Sequence, residues 1–326
     1  MSRTAEPSGQ AGSAAQTTGV AAAHDLPVMR RVRDDLLAWH EPRPPVDLDL
    51  APQLRADLVA GTAPAAAAVP DGQTLWLAKS ALDALACDGR YLDSREQVFT
   101  WSAATLRGQL AHHAIEIDFA GRRNTEPHAI IDAAWDRIRR SPGGAAAFLD
   151  GLTGAQADDL RGQSRALLTA FREQFPLLPD RVVHPEDPLR VRLHDGRVVL
   201  SGRPDLRLGG PRTDDRRIIL LDLKTGTRYP DRHRADLRFY ALLATLKHGI
   251  APFRLVTYYL DEADWDAEDV EADLLAETVA SVATKAVRAA TLAFTPPAED
   301  ELSLVGGPQC RWCSRAPTCP AAVAGP

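Results

Sequence analysis

The stretch from Gly202 to Lys224 constrains this chain more than any other. It runs Gly202-Arg203-Pro204-Asp205-Leu206-Arg207-Leu208, then a polar loop, then a second apolar run from Ile218 that ends Asp222-Leu223-Lys224-Thr225-Gly226. Both halves have strand composition, β-branched and aliphatic residues bounded by Gly, Asp and Arg. Asp222 and Lys224 are two apart on a strand and therefore share a face. If the two strands pair as a hairpin, Asp205 comes beside them. Two carboxylates and an ammonium gathered in this way suit a hard divalent cation next to a phosphate. On its own, an Asp-X-Lys strand is more often a surface ion pair, so the rest of the chain has to decide.

At 326 residues the chain can bury a substantial core. No apolar run approaches the roughly 18 residues of a membrane span. Residues 1–25 are rich in Ala, Gly, Ser, Thr and Gln, without periodicity or the features of a secretory signal. They predict a disordered tail, with 26–326 as one domain and a cytoplasmic location. The net charge of −6 argues against a nucleic-acid partner until its distribution is considered. Nine acids and no base fall within 261–277, and without them the remainder carries +3. That block is expected to be the solvated face of a long helix over Trp265–Ala290. Lysine is scarce, with four residues (Lys79, Lys224, Lys247, Lys285) among 38 basic ones, which gives Lys224 at the centre of the motif more weight.

Upstream, apolar spacing predicts a short helix and linker over 51–70 with Pro64 at its break. It also predicts a helix from about Ser80 to Leu92 with Cys87 near its end, and an amphipathic helix over Trp101–Phe119. The last holds Gly108, His112, His113 and Glu116, with His112 and Glu116 on one face. Helices over 127–140 and 153–175 follow as scaffold. From Leu189 the period becomes that of strands: Arg190–Leu193, a turn at Asp195-Gly196, Arg197–Leu208, Arg217–Lys224 and Phe253–Leu260, with a helix over Arg232–His248.

Taken in order, Gly108 to His112 and Glu116, Gly202-Arg203-Pro204-Asp205, Asp222-Leu223-Lys224 and Asp236 to Tyr240 resemble the RecB-like exonuclease branch of the PD-(D/E)XK nuclease superfamily. The likeness runs over roughly 75–320. It implies an α/β fold, a small mixed central sheet flanked by helices, with a nuclease core at about 101–290. It further implies that Asp205, Asp222, His112 and the backbone carbonyl of Leu223 hold Mg2+ or Mn2+. Lys224 then serves the phosphate or the attacking water, and Glu116 is a neighbour of His112. Arg238 and Tyr240 are implied DNA contacts, with Tyr240 equally readable as core. The family usually has Gln where this chain has Asp236.

The four cysteines are Cys87, Cys310, Cys313 and Cys319. Their pattern, one upstream and three in a C-terminal Cys-X2-Cys-X5-Cys, resembles the iron–sulfur subgroup of the same family, which includes AddB-type subunits and CRISPR-associated adaptation nucleases. It implies a 4Fe–4S cluster joining elements 75–92 and 306–320, with structural zinc as the rival. The expected function is metal-dependent cleavage of DNA, from single-stranded ends, in repair, recombination or defence. The alternative is a catalytically silent iron–sulfur DNA-binding subunit of a helicase–nuclease or CRISPR-type complex. No phosphate loop of the Gly-X4-Gly-Lys type is present, so unwinding would fall to a helicase partner.

Overall fold

A computed structural model describes residues 27–38, 41–42, 45–121, 123–176, 178, 183–209 and 218–322. The expectation for residues 1–25 lies outside them. The fold is mixed α/β, as expected, but its strands form two sheets rather than one. A three-stranded sheet has the order β1 (Leu75–Ala78), β4 (Val198–Gly202), β3 (Leu189–Leu193), with β1 parallel and β3 antiparallel to β4. A five-stranded sheet has the order β2 (Val183–Pro185), β5 (Leu206–Leu208), β6 (Ile219–Lys224), β7 (Arg254–Tyr259), β8 (Asp264–Asp269). Here β6 and β7 are parallel and the other pairs antiparallel. The expected strand Arg197–Leu208 is therefore broken at Arg203-Pro204-Asp205. Proline cannot donate to a ladder, and across it the chain leaves one sheet and enters the other.

Helices cover both faces of the larger sheet. On one side α5 (Ala103–Ala120), α6 (Pro127–Arg140), the short α7 (Gly144–Asp150) and α8 (Gly154–Gln174) pack with Leu206, Leu221, Leu223, Val256 and Tyr258 in one core. On the other, α9 (Pro230–His248) and α10 (Ala272–Phe294) share a second core with Leu220, Leu255 and the inner residues of the small sheet. The alternation along β6 produces this: Leu221 and Leu223 point one way, Ile218, Leu220, Asp222 and Lys224 the other.

Three expectations about elements are corrected. After the short α1 (Pro27–Arg31), residues Leu50–Ala68 form one helix, α2, with Pro64 inside it. Tight packing against α10 holds it together across the missing N–H, since a Cβ on Gly61 would lie 2.7 Å from Ala283 Cβ. The predicted helix from about Ser80 to Leu92 is two helices, α3 (Lys79–Ala84) and α4 (Asp88–Glu96), with Cys87 as the N-cap of the second. The acidic block is not one helix face, because its first half is the edge strand β8. Arg228, Arg238 and Arg254 pair with Asp264, Asp266, Glu268 and Asp269 along it, so the charges of that strand are matched from the loop after β6, from α9 and from β7. No helix of the described residues is long and apolar enough to cross a membrane.

Candidate active site and cysteine cavity

The site forms where β6 ends. A capping box between Ser102 and Thr105 starts α5. Gly108 then lets that helix approach the strand end, because a Cβ there would lie 2.8 Å from Thr225 Oγ1. One turn further on, His112 Nδ1 stands 3.1 Å from Asp205 Oδ1. The other Asp205 oxygen accepts a hydrogen bond of 2.6 Å from the Leu223 backbone N–H. β5 begins only at Leu206, opposite Leu221, so the Asp205 side chain takes the place that a preceding ladder residue would have had. A strand residue turns its N–H and C=O to the same edge, which directs the Leu223 carbonyl toward this carboxylate as well.

Asp222 and Lys224 face α9 and form an ion pair with each other. Lys224 Nζ is also 4.0 Å from Asp236 Oδ2, which in turn binds Lys79 Nζ at 3.0 Å. Lys79 is the first residue of α3, carried in by the C-terminal end of β1. Sequence reasoning passed over it, because nothing in local spacing joins residue 79 to 222–236. Its scarcity as a lysine was the one signal available. The site thus holds three carboxylates (Asp205, Asp222, Asp236) facing His112, Lys224 and Lys79.

Charge and burial oppose each other here. Burial works against the His112 imidazolium, but the Asp205 and Asp222 carboxylates outweigh it and raise the pKa. Burial likewise opposes the Asp205 carboxylate, yet His112, Lys224 and the Leu223 N–H hold it down to about 2. Lys79 is raised despite burial by Asp222, Tyr240 and Asp236, whereas burial raises Asp236 even against Lys79 and Lys224. Asp222 is 3% exposed, and its Oδ2 lies against the Lys224 ammonium without a well-directed hydrogen bond among the described residues. One buried Asp222 oxygen with unused acceptor capacity, with Asp205 and His112 nearby, is the donor chemistry of a divalent-cation site, although the ligand atoms of His112, Asp205 and Asp222 do not all lie within 4.8 Å of one another.

Three predicted neighbours are placed elsewhere. Glu116 bonds Arg137 at 2.7 Å and His113 at 3.4 Å, not His112. Helix periodicity put it on the His112 face, but α6 supplies a stronger partner. With Glu186 these groups form the one set of three ligand-type atoms within 4.8 Å of one another among the described residues, and Arg137 also reaches Glu186. Arg238 is held by Glu268 of β8, with Nε to Oε2 at 2.9 Å. Tyr240 is 5% exposed and lies under Gly202, where a Cβ would be 2.6 Å from its ring.

At the other end of α3, Cys87, Cys310, Cys313 and Cys319 line one cavity of about 400 Å3. All four are free thiols. The C-terminal segment reaches them through polar contacts with α4: the Ser303 N–H to Asp88 at 2.6 Å, the Val305 N–H to Cys87 Sγ at 3.4 Å and the Ser314 N–H to Asp93 at 3.3 Å.

A sheet flanked by helices, with two aspartates, a lysine and a histidine at a strand end, defines an α/β protein with a charged, carboxylate-bearing site. The model of the PD-(D/E)XK nuclease superfamily matches residues 80–320, and the chain belongs to that superfamily. Its members are phosphodiester-cleaving nucleases that typically use Mg2+ or Mn2+. No curated protein matches the chain. Among solved structures, SSO0001 is similar over 84% of this chain and 95% of its own, at 14% identity and a TM-score of 0.31.

Proposed function

We propose that the chain is a metal-dependent deoxyribonuclease that degrades DNA from single-stranded ends. Two pairs at the end of β6, His112 against Asp205 and Asp222 against Lys224, carry this reading together with the superfamily match. Asp205, Asp222, His112 and the Leu223 carbonyl are the groups that would hold Mg2+ or Mn2+. A divalent ion there supplies Lewis acidity to the phosphate and a water ionised near neutral pH. Asp205 orients His112 and fixes the strand end through the Leu223 N–H. Lys224 is a preorganised ammonium that can turn from Asp222 to the non-bridging phosphate oxygens as their charge grows. Asp236, itself paired with Lys79, backs that ammonium from the place the family usually gives to glutamine.

The cavity ringed by Cys87, Cys310, Cys313 and Cys319 is where a 4Fe–4S cluster would sit, with structural zinc as the rival, since all four thiols surround it. The cluster's role would be structural, and a helicase or CRISPR-type partner would supply any unwinding.

The nuclease reading is tested with end-labelled single-stranded DNA and Mn2+. Wild type should shorten it, while Asp222→Ala and Lys224→Met should be slower by 10² or more. A wild type inert on single-stranded, duplex and frayed DNA would sink the reading.

A further inference from the structure

The outer face of the three-stranded sheet belongs to neither core. Its inner residues, Leu75, Leu77, Leu189, Val191, Leu193, Val198 and Leu200, pack inward. The alternate residues form two rungs. One aligns Trp76 with Val199 and Arg192, and the next aligns Ala78 with Ser201 and Arg190. Trp76 is 51% exposed, unusual for an indole, and Arg190 and Arg192 are both exposed. The Arg190 guanidinium lies 5.3 Å from the Trp76 ring centroid. Neither arginine makes a hydrogen bond or ion pair among the described residues, whereas Arg137, Arg207, Arg228, Arg238, Arg254 and Arg288 all have carboxylate partners. The two rungs carry no acid. The face therefore offers unspent positive charge beside an open aromatic ring.

Two of the three strands of this face run into the site. β1 leads from Trp76 through Ala78 to Lys79, and β4 leads from Val199 through Ser201 and Arg203 to Asp205. Six strand residues at about 3.3 Å each place the Trp76 rung within about 20 Å of the catalytic carboxylate. Two guanidinium groups disfavour an apolar protein partner and favour a polyanion. An indole among them favours one with free planar bases. A duplex keeps its bases stacked inside, so the complement of this face is a single strand.

We propose that the outer face of β1-β4-β3 is a single-stranded DNA platform, with a base stacked on Trp76 and phosphates on Arg190 and Arg192, feeding the strand toward Asp205. The proposal rests on the nuclease reading for its direction but not for its measurement. Anisotropy of a labelled oligothymidylate, with EDTA present to stop cleavage, reads binding alone.

Trp76→Ala should weaken binding by about 5- to 150-fold and Trp76→Phe much less. Arg190→Ala/Arg192→Ala should reduce the slope of log affinity against log salt by about 1.4, from about 0.7 per single-strand phosphate contact. Arg190→Glu/Arg192→Glu should weaken binding strongly, while Arg139→Glu/Arg165→Glu, the same charge change on α6 and α8, should not. All these side chains face solvent, so melting temperatures serve as the folding check. Unchanged affinity and slope in the platform variants would overturn the proposal. An equal loss in the α6–α8 control, a Trp76→Ala loss as large for duplex as for single strand, or tighter binding of oligouridylate would also overturn it. If wild type binds through this face but cuts nothing, the nuclease reading fails and the platform stands. If wild type cuts and the variants bind as wild type does, the platform alone fails.

Discussion

At the scale of single residues, the ion pair between Lys79 and Asp236 invites a double-mutant cycle. Lys79→Met leaves Asp236 facing Lys224 alone and should cost about 1–3 kcal/mol as a partly buried charge loses its partner. Lys79→Met/Asp236→Asn should recover part of that stability while activity falls, because Lys224 has then lost the Asp236 carboxylate. Additive stability losses would mean that the pair is not coupled. His233 gives a pH prediction. Burial, followed by the charge of Lys224, pushes it down to about 4, with Asp222 opposing. An unfolded histidine titrates near 6.5. Between those values the unfolded chain holds one more proton, so stability should fall as pH drops from about 6.5 to 4. Denaturant titrations of His233→Gln should show a shallower fall across that window. His112, Asp205, Asp222 and Lys224 were legible in the sequence because chemistry-bearing types stood at strand and helix spacings in a known order. Lys79 and His233 were not. What brings them in is the folding of α9 back over the end of β6, a tertiary fact with no local trace.

At the scale of elements, Gly202 is where the small sheet touches α9. Gly202→Ala would drive a methyl into the Tyr240 ring, at 2.6 Å, and should cost about 1–3 kcal/mol by overpacking. Because Pro204 and Asp205 follow directly, kcat should fall as well. In a Tyr240→Leu background the added penalty should shrink, and a penalty of the same size would place the strain elsewhere. Arg238 is tied to the sheet edge through Glu268. Arg238→Ala should lower stability by about 1 kcal/mol or less and leave oligonucleotide affinity within about twofold of wild type. The strands β5 and β6 could be read from aliphatic runs bounded by Gly, Asp and Arg. β8 could not, since Asp264-Trp265-Asp266-Ala267-Glu268-Asp269 has the polarity of an exposed helix face. Its strand character comes from arginines contributed by the loop after β6, α9 and β7, partners that periodicity does not see. The break at Pro204 that splits one expected strand between two sheets was visible as a residue and silent about its consequence.

At the scale of the molecule, the question is what holds the C-terminal segment to the domain. Not one residue from 299 to 322 is buried, so apolar burial contributes little to its docking. Polar contacts to Asp88 and Asp93 orient it, but exposed and half-exposed pairs of this kind are worth little net stability. A short segment without a core needs a covalent or metal staple, and four free thiols around one cavity are the means available. Cys310→Ser/Cys313→Ser should therefore lose the bound metal and its visible absorbance, lower the melting temperature, and open the chain to proteolysis near residue 298. The core that precedes it should keep its far-ultraviolet signature, because α10 ends at Phe294 with its own apolar face buried. Wild type purified without air should contain about four irons per chain if the cluster is present, and one zinc would replace the cluster with its rival. If the serine variants keep wild-type melting and protease resistance, and wild type carries neither metal, then the polar contacts to α4 suffice and the thiols are not a staple.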